Sequence, residues 1–237
     1  MKSLKDLFGV EKPILGMIHL YGTKDKDRLK RGMEELEIYN EEDVDGVIID
    51  DFISPFIDFC HFLDDSSKQK YKFAKGINHL YDPYLNFDYA QRFGCQFALF
   101  NSIQKNSIIS HYYDLKRNKF SDIFVIGGVD FRLSKPTNES VKSNLMFAKD
   151  KCDAIVTSTR IKSLETPIPK LNEYKSYLGD FPLFTGSGVC LDNVQKQLSV
   201  ADGAIIETYF KEKNDISLPV DRYKVRDFMD AVKELRN

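Results

Sequence analysis

Short, largely apolar runs recur along this chain, separated by stretches in which apolar residues return every three or four positions. The runs fall at residues 14–20, 47–49, 73–80, 96–100, 123–131, 154–157, 183–185 and 201–206. They are too short for helices and lack the alternation of a strand with one wetted face, so they predict strands buried on both sides. Helices are predicted between them. One starts near Asp25 or Asp27, either of which is a capping residue, and carries Leu29, Met33 and Leu36 on one face. Others cover residues 83–93, stopped by Gly94, then 108–116, then a stretch from about 138–140 with Val141, Leu145 and Ala148 inward, then 171–178. A short helix follows residues 183–189, and a last one runs from Asp221 with Val225, Phe228, Val232 and Leu235 on one side. Residues 52–71 break the pattern with Pro55, several aromatics and a polar Asp64-Asp65-Ser66-Ser67 stretch, and are read as irregular or a short helix.

Eight alternating strand–helix units predict an α/β fold, a single (β/α)8 TIM barrel with residues 1–237 as one domain. An open doubly wound sheet is the competing architecture. The count of eight and the late Gly186-Ser187-Gly188 turn favour the closed barrel, and no internal repeat or linker divides the chain. The formal charge of −2 leaves no broad basic field for nucleic acid. Cys60, Cys95, Cys152 and Cys190 lie far apart without a C-x-x-C pair, so reduced thiols are expected rather than a disulfide framework or zinc ribbon. No apolar run approaches the roughly 18 residues of a membrane span, and a cytoplasmic location is the expectation.

Nearly every predicted strand ends in a polar group: His19, Asp50-Asp51, Asn78, Asn101, Asp130 with Arg132, Thr157, Ser187, and Glu207-Thr208. In a barrel those ends gather on one face, where the active site lies. Gly186, Ser187 and Gly188, with the N-terminus of the helix that follows, are expected to hold an anion through main-chain amides. Thr208 and Lys211 would add contacts to it, although the plainer reading of Lys211 is a surface lysine opening a loop. His19 is a general base, a metal ligand, or a histidine merely hydrogen-bonded at a strand end. Asp50 and Asp51 are adjacent, so only one of them points into the barrel. One of them together with Asp130 would serve in proton transfer or bind a divalent cation through oxygen, although no motif supports a metal. His61, His79 and His111 lack the spacing of a zinc hydrolase, and Ser187 lacks a G-x-S-x-G context. Glu207 opposes a phosphate unless it points away or binds a metal.

Several stretches in register along the chain resemble the BtpA/SgcQ-type proteins. They are Phe8-Gly9-Val10 through Lys12-Pro13-Ile14-Leu15-Gly16-Met17-Ile18-His19-Leu20, Val44-Asp45-Gly46-Val47-Ile48-Ile49, Gly76-Ile77-Asn78, Gly186-Ser187-Gly188-Val189, Asp192-Asn193-Val194, Val200-Ala201-Asp202-Gly203 and Pro219-Val220-Asp221-Arg222. The resemblance implies a TIM barrel, in a family with cyanobacterial members associated with photosystem I biogenesis and bacterial relatives loosely labelled as enzymes. His19, Asn78, Asn101, Asp130, Thr157 and Ser187 keep the family's polar positions. Asp50-Asp51 replaces its Glu-Asn, the strand-three and strand-five endings differ, Ser158 stands for a glycine, and Glu207 stands for a glycine.

The expected function is therefore binding of, and action on, a phosphorylated or otherwise anionic small metabolite. His19, Asp50, Asp51, Asp130 and Arg132 would carry the chemistry. Asn78, Asn101, Thr157, Gly186, Ser187, Gly188, Glu207, Thr208 and Lys211 would hold the ligand. The alternative is a catalytically degenerate barrel acting as an assembly or regulatory partner, with the aromatics between Phe52 and Tyr84 as its plug. A homo-oligomer is compatible with either.

Overall fold

The structure, a computed structural model, describes residues 3–105, 111–161 and 163–236. Eight parallel strands close into a barrel in chain order, each pairing with its neighbours and β8 with β1. A short helix α1 (Leu4–Phe8) precedes β1 (Ile14–His19), followed by α2 (Asp25–Glu41), β2 (Gly46–Asp50), α3 (Phe56–Ser67), β3 (Ala74–Asn78), α4 (Leu85–Arg92) and β4 (Phe97–Phe100). Then come α5 (His111–Lys119), β5 (Phe124–Gly128), α6 (Val141–Lys149), β6 (Ala154–Thr157), α7 (Ile168–Leu178), β7 (Leu183–Thr185), α8 (Val194–Leu198), β8 (Gly203–Ile206) and α9 (Arg222–Arg236). The start expected for the fifth helix, at residue 108, lies outside the described residues. Residues 52–71, read from sequence as irregular or a short helix, instead hold the twelve-residue α3, with Phe59, Phe62 and Leu63 turned inward. Its aromatic face sets that helix, because three large side chains at helical spacing bury together on the barrel wall.

Every strand residue is buried, as expected of a parallel sheet covered on both faces. Strand side chains alternate between two cores. Leu15, Met17, Ile48, Leu99, Ile126, Val156, Phe184 and Ile205 fill the inside, and Phe8 of α1 closes its floor against Phe97 and Phe124. Ile14, Ile18, Val47, Ile49, Ile77 and Ile155 face outward onto the helices. The interior has room for Phe97 and Phe184 because Gly76 and Gly203 lie beside them; a Cβ at either glycine would sit 2.2 or 2.4 Å from the ring.

The structure reveals a repeat that the sequence reading did not detect. Asp45, Gln96, Asp153 and Asp202 each precede an even-numbered strand, and each accepts the amide of a residue at the start of the preceding odd one: Ile14, Lys75, Val125 and Leu183, at 2.7, 2.7, 2.8 and 2.8 Å. The three aspartates are further held by Arg236, Arg117 and Lys175. The barrel is thus stapled at its N-terminal end in strand pairs, and this sets the height at which the opposite strand ends emerge.

Candidate active site at the mouth of the barrel

The inward parity that buries Leu15 and Met17 carries on to His19. The same parity brings Asp50 in after Ile48, Asn78 after Gly76, Asn101 after Leu99 and Glu207 after Ile205. His19, Asp50 and Asn78 are direct register partners across β1, β2 and β3. A pocket of about 60 Å³ opens above them. Its wall is completed by Arg132, by Gly186-Ser187-Gly188-Val189 and by Thr208.

These side chains form one connected polar chain. Asn101 donates to Asn78 Oδ1 at 3.1 Å, and Asn78 donates to Asp50 Oδ2 at 2.5 Å. The other Asp50 oxygen accepts the Phe52 amide at 2.7 Å and faces His19 Nδ1 at 3.7 Å. His19 Nε2 lies 2.9 Å from Glu207 Oε1, and the second Glu207 oxygen is 3.7 Å from Arg132. Burial pushes the Asp50 carboxyl up to about 6, against the opposing pull of His19 and of its two hydrogen bonds. The histidine is therefore flanked by two carboxylates, one of which exchanges its proton close to neutral pH. Glu207, which the sequence set against an anion, points at His19 Nε2 and at Arg132, whose guanidinium offsets its charge.

The glycine loop is built differently from the expectation. The Gly186 amide is taken by the Thr157 carbonyl at 2.9 Å. The amides of Ser187, Gly188 and Val189 make no hydrogen bond to the described residues, and these three line the pocket. Gly188 has φ +62°, and a Cβ there would meet the Leu164–Glu165 backbone at 2.3 Å, so no other residue fits without moving that segment. Asn193 holds the loop from behind, donating to the Gly188 carbonyl and accepting the Cys190 amide, both at 2.9 Å. The five-residue α8 starts only at Val194, beyond the pocket lining, so its N-terminus does not form part of the proposed anion cradle.

Four other candidates are not brought to the mouth. Asp51 has the outward parity; it accepts the Leu80 amide at 2.8 Å and pairs with His79, which stacks on Phe56. Thr157 is likewise outward and fully buried. Asp130, at φ +47°, turns its carboxylate to Lys170 at 2.7 Å and Arg160 at 3.1 Å, tying the β5 loop to α7. Asp50 and Asp130 consequently do not converge as a pair of oxygen ligands. Lys211 is wholly buried and bonded to Glu35 of α2 at 2.6 Å, because the chain turns back over α2 directly after Thr208. Glu35 also accepts the Val220 amide and the Arg31 side chain, so Lys211 belongs to a clamp on the β8–α9 connection.

Sequence reasoning did not single out Phe131 or Leu133 on the rim. Their alternation around Arg132 was the available signal. Of the aromatics considered as a plug, Phe52 borders the pocket, Phe59 and Phe62 are core, and Tyr81 is mostly exposed.

Eight parallel strands, with a polar pocket outside their carboxyl ends, define a (β/α)8-barrel protein of the kind whose chemistry resides on that face. Within that class the chain belongs to the BtpA family, whose sequence profile matches residues 10–234. It is 24% identical to the sgc region protein SgcQ of Escherichia coli (strain K12), over 100% of both chains. It is 25% identical to an uncharacterised protein of Pyrococcus furiosus, over 92% of this chain and 93% of that one. In structure it is similar to a thiamine phosphate pyrophosphorylase from Pyrococcus furiosus, with TM-score 0.68, 11% identity, and 95% and 97% of the two chains covered. An N-(5'-phosphoribosyl)anthranilate isomerase from Pyrococcus furiosus gives TM-score 0.64 and 13% identity, over 94% and 99%. At such identities the structural likeness is one of fold. Among the described residues, no helix is long and apolar enough to cross a membrane, and all four cysteines are free.

Proposed function

We propose that this barrel binds a phosphorylated or similarly anionic small molecule at its mouth and moves a proton on it. The observation that carries this reading is a shared pocket: the uncommitted amides of Ser187, Gly188 and Val189 with Arg132, and the His19–Asp50–Glu207 chain. Bare amides and a guanidinium stabilise a dianion, and a buried setting strengthens each contact. His19 is the proton carrier. Glu207 orients its ring through Nε2, while Asp50, backed by Asn78, faces Nδ1 at 3.7 Å. The Arg132–Glu207 contact, at 3.7 Å, is loose enough for an arriving anion to compete for the guanidinium.

The names of the structural neighbours, a thiamine phosphate pyrophosphorylase and a phosphoribosylanthranilate isomerase, refer to phosphorylated compounds and agree with this reading. A degenerate barrel kept only for assembly is less well supported. Asp50 and Glu207, two of the positions that depart from the family pattern, are members of the connected chain and bear on altered chemistry rather than lost chemistry.

The test is calorimetric titration with inorganic phosphate and ribose 5-phosphate, together with mass spectrometry of metabolites retained on the purified protein. Arg132→Ala is expected to weaken phosphate-ester binding at least tenfold. His19→Gln is expected to leave binding within a few-fold and to remove turnover of the retained metabolite. Absence of any phosphate or phosphate-ester binding to the wild type would overturn the proposal.

A further inference from the structure

A second cavity, of about 340 Å³, adjoins the mouth pocket and shares Phe52, Leu80, Asn101 and Leu133 with it as a common wall. Among the described residues its remaining lining is largely aromatic, with Tyr81, Tyr84, Phe100 and Tyr113. Three apolar side chains on or beside that wall stay open to solvent: Phe52 at 37%, Leu133 at 46% and Tyr81 at 75%. A soluble surface normally covers such a cluster with a ligand or a partner. Asn101, Ser102 and Lys135 supply the cavity's polar lining, and among the described residues the buried Ser102 hydroxyl has no hydrogen-bond partner.

The volumes decide what the two cavities hold. At about 60 Å³ the mouth accepts an anionic head and little else. Small-molecule sites usually span roughly 300–1,000 Å³ and are mainly apolar with a few placed polar groups. The mouth alone falls short of that range, and the annex beside it lies within it. The annex borders the mouth along these four shared residues, so a ligand seated in the mouth extends over that wall into the annex.

We infer that the ligand is bipartite: an anionic ester whose other half is an aromatic or ring-sized apolar group, with one hydrogen-bonding atom facing Ser102. This rests on the anion-binding reading above and adds a substrate class to it. Phenyl rings gain contact with Tyr84 and Phe100 in offset or edge-on arrangements as well as leaving water.

Calorimetry with three probes separates the two ideas: inorganic phosphate, methyl phosphate and phenyl phosphate. Phenyl phosphate is expected to bind at least tenfold more tightly than methyl phosphate. Ser102→Phe, which fills the annex from its own wall, should erase that advantage while methyl phosphate, reporting on the mouth alone, binds as before. Tyr81→Ala, at an exposed position that the fold does not depend on, should reduce the advantage several-fold and serves if Ser102→Phe does not fold. Equal binding of methyl and phenyl phosphate would overturn the bipartite ligand and leave the anion site standing. An advantage untouched by both variants would overturn it too, because the ring would then lie elsewhere. Failure of all three probes to bind would bring down the anion reading and this inference with it.

Discussion

Replacing Asp50 by Asn tests the electrostatics of the mouth without requiring a substrate. In the folded protein the Asp50 carboxyl titrates at about 6, up from 3.8, chiefly because it is buried. A raised carboxyl pKa means that the native state binds the proton more tightly than the unfolded chain does. The stability linked to it is therefore full below pH 3.8 and is lost as the pH rises towards and through about 6. At about 1.36 kcal/mol per pH unit, the rise from 3.8 to about 6 corresponds to a cost of about 3 kcal/mol at pH 8. About 2 kcal/mol of this develops between pH 4.5 and pH 8, since part is already lost at the lower value. Asn has no such titration. It also presents an amide where Asp50 accepts from either Phe52 or Asn78, which removes about 1 kcal/mol at every pH. Urea unfolding of wild type and Asp50→Asn at both pH values isolates the titrating part as a change in their difference. The variant should gain about 2 kcal/mol on the wild type from pH 4.5 to pH 8. A difference that stays flat, or moves in favour of the wild type, would refute the burial-driven shift and with it the picture of an Asp50 proton exchanging near neutrality.

Lys211→Met should destabilise the protein by about 3–5 kcal/mol, measured by urea unfolding, because it leaves Glu35 buried with one cation fewer. A loss below 1 kcal/mol would show that Arg31 alone satisfies Glu35 and that the clamp behind Thr208 is dispensable. Asp130→Asn should leave phosphate-ester affinity within two-fold, since its carboxylate is held by Lys170 and Arg160 away from the pocket. A tenfold loss in the same calorimetric titration would return Asp130 to the site.

Much of the mouth was legible as parity. Once Leu15 and Met17 are placed inside, His19 must follow, and the same counting admits Asp50 and rejects Asp51. Thr157 fails the same count against Val156, a signal present in the sequence that a list of polar strand ends overlooks. Asp130 and Lys211 were not decidable in this way. Both lie past a strand end, where the chain has left the pleat, and their partners Lys170 and Glu35 are 40 and 176 residues away. Local pattern has no access to such pairs. The length of α3 was not legible because Pro55 and the polar residues at its far end obscured the apolar face of Phe59, Phe62 and Leu63.

The linear order of apolar runs was enough to determine eight buried strands and most of their covering helices, because burial on two faces and helical periodicity are local properties of the chain; the count of eight and the late glycine turn favoured closure into a barrel. The sequence also located the glycine turn that lines the mouth. Only the tertiary structure decided which polar groups meet: that Glu207 faces His19 rather than a ligand, that the Gly186 amide is spent on Thr157, and that an aromatic cavity opens beside the mouth. Those outcomes depend on the stagger of strands around the closed sheet and on loops packing against distant elements, distances that no spacing along the chain encodes.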